Sequence, residues 1–150
     1  MLADWGVKSV KGEKNKESLK KLEALILDYQ PDLLVLEDHW AKQSRRSLRI
    51  KEVGKLVIAM AADQKLPVSM FSRQEVNEAF FVDGEGTKYD MAELLAKRFL
   101  EELGDRLPPK RRAWMSEDSR MDIFSALALA LRQRIQTKTS STGERIGAVD

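Results

Sequence analysis

The chain contains no cysteine and one histidine. Disulfides and thiolate metal centres are therefore excluded, and nothing in the chain marks a redox compartment. A basic, apolar leader is missing too: the opening MLADWGVKSVKG has neither the charged flank nor the greasy run of a secretory signal. The longest apolar stretch, Ile123 to Leu131, is far too short to cross a bilayer. These absences predict a cytoplasmic location. Net charge is also scarce, at +2, so overall charge names no partner.

What remains is an ordinary globular composition, 43% hydrophobic and 33% charged over 150 residues, enough for one domain with a real core. Cations are clustered despite the small net charge. Arg45, Arg46, Arg49 and Lys51 form one group, Lys110, Arg111 and Arg112 a second, and Arg132, Arg134 and Lys138 a third. Such clusters suit a phosphate backbone, although each is equally well read as a solvated face.

Along the chain, Trp5 to Val10 reads as a short strand ended by Gly12. Glu17 to Tyr29 has the leucine and isoleucine spacing of an amphipathic helix. Pro31-Asp32 then turns into Leu33-Leu34-Val35-Leu36, a run without alternation that predicts a central parallel strand buried on both faces. It ends in Glu37-Asp38-His39. Arg46 to Gln64 predicts a helix, Val68 to Phe71 a strand, and Arg73 to Phe80 a helix capped by Ser72. Val82 to Thr87 reads as a loop, Tyr89 to Leu103 as a helix, and Pro108-Pro109 as its breaker. A last helix is expected from near Ser116, with Glu117 and Asp118 in its first turn and a buried body, IFSALALALRQRI. From Thr137 the chain is polar and without periodicity, which predicts a domain over 1–136 and a flexible tail over 137–150. Strands alternating with helices specify an α/β fold with a mainly parallel sheet flanked by helices.

In open α/β sheets, ligand sites gather beyond the carboxyl ends of the strands. Glu37 stands at such an end. A carboxylate there faces water or a cation, since a dry core would penalise it; the plainer alternative is a strand-exit acid. Asp118 and Asp122 are four residues apart and share a face if both are helical. The plainer alternatives are a salt bridge of Asp122 with Arg120 and a helix-start charge for Asp118. Carboxylates without histidine or cysteine ligands suit Mg²⁺ or Mn²⁺ rather than zinc. Two such ions activate a water and stabilise the leaving oxygen in phosphodiester hydrolysis.

His39 is available for proton transfer or a phosphate contact, though a lone loop histidine commonly does neither. Trp40 and Trp114 have rings able to stack on bases or to cover the core edge. Gly84-Glu85-Gly86 lacks the following lysine of a phosphate loop. No serine–histidine–acid set can be assembled.

Taken together, PDLLVLEDHW, RRSLRIKEVGKLVIAMAADQKLPVSMFSRQEV and the start of DIFSALALAL resemble the RuvC-type Holliday junction resolvases of the ribonuclease H-like nuclease superfamily. The resemblance runs from about Trp5 to Ile135 and rests on the order of elements more than on any one motif. It implies a Mg²⁺- or Mn²⁺-dependent endonuclease acting on branched DNA as a homodimer in recombination. It also implies catalytic and metal-binding roles for Glu37, as the strand glutamate, and Asp122, as the first aspartate of the family's D-x-x-D-A-L-A pattern. Ser125 falls on the second aspartate, and Asp118 lies one turn earlier as a steric substitute. Arg45, Arg46, Arg49, Lys110, Arg111 and Arg112 become the nucleic-acid contacts. Only one strand precedes LLVLE where the family has three, so the resemblance implies an N-terminally truncated fold without the first-strand acid; Asp4 is a poor stand-in. Two functions follow: an endonuclease of this type, or an inactive nucleic-acid-binding or assembly protein derived from one. A sheet edge left by the missing strands needs cover, by dimerisation or by upstream residues.

Overall fold

The computed structural model describes residues 2, 4, 6, 14–41 and 48–149, with backbone only from 139 onward. Among these are two β-strands, six α-helices and one 3-10 turn, in an α/β order. They are α1 (Lys14–Tyr29), β1 (Leu34–Glu37), α2 (Leu48–Asp63), β2 (Val68–Phe71), α3 (Arg73–Phe80), α4 (Lys88–Arg98), α5 (Leu100–Leu103) and α6 (Met121–Val149), with the 3-10 turn at Gly104–Arg106. The strand expected over Trp5 to Val10 lies outside the described residues. No described helix is long and apolar enough to cross a membrane. The backbone gathers into two compact units, Lys8–Arg73 and Met1–Val7 with Gln74–Asp150.

The first unit is a β–α–β crossover preceded by a helix. Parallel strands cannot be joined by a tight turn, and α2 supplies the connection between β1 and β2. The strands pair parallel with Leu34 opposite Val68 and Glu37 opposite Phe71. Their ladder is extended by Leu34 N–H donating to the Pro67 carbonyl at 2.9 Å and Asp38 N–H to the Phe71 carbonyl at 2.8 Å. Contrary to the expectation of a strand buried on both faces, all four residues of β1 are only half-buried, and β2 is its one partner among the described residues. Helix α1 packs on α2, and Ile26, Val57 and Ala61 are the buried residues of the two. Helix α2 ends with Lys65 at φ 56° and with Leu66 N–H donating to the Ala61 carbonyl at 2.8 Å, a left-handed cap that satisfies the last carbonyls.

The second unit is helical. Thr87 caps α4 reciprocally: its hydroxyl accepts from Asp90 N–H at 3.0 Å, and the Asp90 carboxylate accepts from Thr87 N–H at 2.9 Å. Hydrogen bonding from the Thr87 N–H foremost, and then from its side chain, holds the Asp90 carboxyl below its usual range. The helix expected over Tyr89 to Leu103 is interrupted at Phe99, whose φ −116° and ψ 51° are not helical. Helix α4 packs on α6, and Leu95, Leu103 and Phe124 are the largest fully buried side chains. The α6 body is buried as its sequence predicts, through Met121, Ile123, Phe124, Leu127, Ala128 and Leu131. Its start is not where Ser116 predicts it: the helix begins at Met121, and Glu117 and Asp118 lie in the segment leading in. It also continues as helical backbone to Val149, past the Gln136 at which the sequence places the end of the domain.

Candidate functional site

Glu37 is the last residue of β1, where the backbone leaves the sheet. Its side chain is 25% exposed, and its Oε2 lies 3.2 Å from His39 Nδ1. That ring nitrogen is buried and has no hydrogen-bond partner among the described residues, so the contact is close but lies off a hydrogen-bonding direction. Between the two residues, Asp38 folds its Oδ1 onto the N–H of Trp40 at 3.0 Å. This side-chain turn fixes the chain directly after the acid. The Trp40 ring lies over α2 at Gly54, where an added Cβ would stand 2.9 Å from Cη2. Trp40 thus takes the bland role, a cover over a helix.

The acids at the head of α6 behave differently from one another. Asp118 Oδ1 accepts from the Arg120 N–H at 2.9 Å and from its Nε at 3.0 Å, while Oδ2 accepts from Nη2 at 2.8 Å. Hydrogen bonding from the Arg120 side chain, then from its backbone, lowers the Asp118 carboxyl to about 2 and raises the Arg120 guanidinium. Arg120 therefore pairs with Asp118, not with Asp122. The Asp118 carbonyl accepts from Met121 N–H at 3.0 Å, opening the helix. Asp122 follows in the first turn of α6, exposed, with no ion-pair partner among the described residues. Asp118 and Asp122 do not share a helical face, because Asp118 precedes the helix. Ser125, at the family's second aspartate position, donates its hydroxyl to the Met121 carbonyl at 3.3 Å. Glu117 is paired with Lys88.

Within neither unit do three or more histidine, aspartate or glutamate side chains among the described residues gather to hold a metal ion. The donor chemistry of the individual acids is still informative. Glu37 and Asp122 are oxygen donors of the kind Mg²⁺ and Mn²⁺ take. Asp118 does not fit, since both of its oxygens are held by a bidentate arginine.

Among the basic residues, Arg45 and Arg46 lie outside the described residues, while Arg49 is exposed on α2. Lys110, Arg111 and Arg112 are all exposed in the segment between the 3-10 turn and α6. Arg132 is engaged with the Glu75 carbonyl and with Gln136, so the third cluster is not a uniform cationic face. Arg120 as the partner of Asp118 and Lys88 as that of Glu117 are not among the expectations from sequence. The first had a local signal, an arginine two residues after an aspartate; the second, spanning 29 positions, had none.

No protein-family model matches the sequence, and no curated protein does. Among solved structures, the RuvC protein of Thermus thermophilus matches at a TM-score of 0.58 and 20% sequence identity, over 89% of this chain and 76% of that one. The likeness shows a RuvC-like α/β fold.

Proposed function

We propose that this chain is a divalent-metal-dependent endonuclease of the Holliday junction resolvase type, acting on structured or branched DNA as a cytoplasmic homodimer. The observation that carries this reading is Glu37 closing a parallel strand in a chain of RuvC-like fold, at the strand end where open α/β sheets concentrate their chemistry. Glu37 and Asp122 are each assigned in this reading as an oxygen ligand for Mg²⁺ or Mn²⁺, which would supply activation of a water and stabilisation of the leaving oxygen. His39, with Nδ1 3.2 Å from Glu37 Oε2, restrains that carboxylate. Asp118 and Arg120 shape the turn from which α6 presents Asp122. Arg49, Lys110, Arg111 and Arg112 hold the phosphate backbone, joined in this reading by Arg45 and Arg46.

A second reading, an inactive nucleic-acid-binding or assembly protein on the same fold, is favoured by Asp118 and Ser125. One is an acid held by arginine, and the other is a hydroxyl bonded to the backbone where the family has an acid.

Mn²⁺-dependent cleavage of a synthetic four-way junction separates the two. The nuclease reading expects nicking by the wild-type chain, loss of nicking in Asp122→Asn, and junction binding by both. Binding at low salt without cleavage under Mn²⁺ supports an inactive nucleic-acid-binding protein, and no binding at low salt removes the nuclease and leaves only the assembly role.

A further inference from the structure

The segment between the 3-10 turn and α6 carries a feature that phosphate binding does not use. Trp114 is 77% exposed, unusual for the residue type with the largest apolar ring. It therefore does not cover the core edge. The guanidinium of Arg112 lies 5.5 Å from the centroid of its ring, within cation–π range. With that group over one face and 77% of the residue exposed, the rest of the indole is open to solvent. The chain around it is closed on itself: Met115 N–H donates to the Arg112 carbonyl at 3.0 Å, and Arg111 Nη1 donates to the Met115 carbonyl at 2.9 Å. The ring is thus displayed on a bonded turn.

Local charge favours a polyanion. Glu117 is neutralised by Lys88 and Asp118 by Arg120. Arg111 and Arg112 have no carboxylate partner among the described residues, and the charge of Lys110 helps to lower the Asp90 carboxyl. The basic run Lys110 to Arg112 thus leads directly into an exposed aromatic ring, and the two acids that follow it are already paired. An interleaving of planar ring, stacking guanidinium and free cations is the chemistry that holds an unpaired nucleotide, ring on base and cations on phosphate. Duplex DNA would use the cations alone, because its bases are already stacked.

We propose that the Lys110–Met115 turn is a binding platform for an unpaired DNA base, with Trp114 as its stacking face and Arg111 and Lys110 on the flanking phosphates. The proposal rests on the nucleic-acid reading above and adds to it a preference for single-stranded positions. An acidic protein is the competing occupant of such a surface, since tryptophan and arginine also concentrate in protein interfaces.

The test uses the full chain at low salt, with labelled duplex carrying a short single-stranded gap and an uninterrupted duplex of equal length. Trp114→Ala, at an exposed position that folding does not require, is expected to weaken gapped-DNA binding about tenfold or more. Affinity for the uninterrupted duplex stays unchanged, and Trp114→Phe retains most of the gapped-DNA affinity. Oligo-dT is expected to quench tryptophan emission in the wild type and not in Trp114→Phe. Equal affinity of Trp114→Ala and wild type for gapped DNA overturns the platform and leaves the general DNA reading standing; so does an equal loss on both substrates. A wild-type chain that binds neither DNA overturns both.

Discussion

The two acidic stretches, Glu37 to Trp40 after β1 and Glu117 to Arg120 before α6, are built on the same local device and differ in their last two residues. Asp38 accepts the N–H of Trp40, and Asp118 accepts the N–H of Arg120, each closing a turn two residues ahead at 3.0 and 2.9 Å. After β1 the residue donating that N–H carries an indole, which goes onto α2 and leaves the aspartate to the backbone. Before α6 it carries a guanidinium, which returns to the same carboxylate and binds both oxygens. In each stretch the aspartate at the turn shapes the chain; Glu37 directly precedes its turn, while Asp122 stands four residues after Asp118, in the first turn of α6. Support for these two acids also differs. Asp122 rides on a helix anchored by the fully buried Phe124, whereas Glu37 ends a four-residue strand with every side chain half-buried.

Removing the anchor is the strongest way to disturb this contrast. Phe124→Ala is expected to cost about 3–5 kcal/mol in urea unfolding, from lost transfer energy plus a cavity; a cost under about 1 kcal/mol would show that α6 does not rely on it. Next in size is the effect on chemistry. Glu37→Gln should lower Mn²⁺-dependent junction cleavage by more than ~100-fold, because even ligand-orienting partners cost that much or less. Asp118→Asn should change it by less than about fivefold, the scale of an exposed ion pair. Comparable losses in both variants would erase the distinction drawn between the two acids. Arg111→Ala is a milder perturbation, expected to reduce the slope of log affinity against log salt by about one. An unaltered slope would take Arg111 off the phosphate backbone.

The smallest effect is a titration. Followed by carboxyl NMR, Asp118 should titrate near 2 in the wild type and return toward 3.8 in Arg120→Met. A depressed folded-state value means that the pair's contribution to stability is fully present above the unfolded value and disappears as pH falls through about 2. An ordinary Asp118 titration in the wild type would break the pairing.

The local signals that survive folding explain what the sequence disclosed. Val68 to Phe71 and Arg73 to Phe80 were legible to the residue because Pro67 and Ser72 punctuate them. The interruption at Phe99 was invisible, since Met91, Leu94, Leu95 and Phe99 keep helical spacing through a residue whose backbone leaves the helix. At the head of α6, Ser116 and Asp118 both have capping chemistry, and spacing alone does not rank them; the arginine two residues after Asp118 does. The pairing of Glu117 with Lys88, 29 residues away, leaves no mark in the sequence, because a partner at that distance is chosen by geometry. In the same way the polar composition after Thr137 predicted a tail, and the backbone there continues α6.

Position 54 turns the indole above it into a lever. A single methyl at that position would press on the far rim of Trp40 and drive a rigid ring away from α2. The ring's own main chain is the donor that tethers Asp38, so the push would travel back along three peptide units to the terminus of β1. Steric volume on the face of α2 that meets Trp40 would thereby press on the chain leaving Glu37 without any change to a charged group.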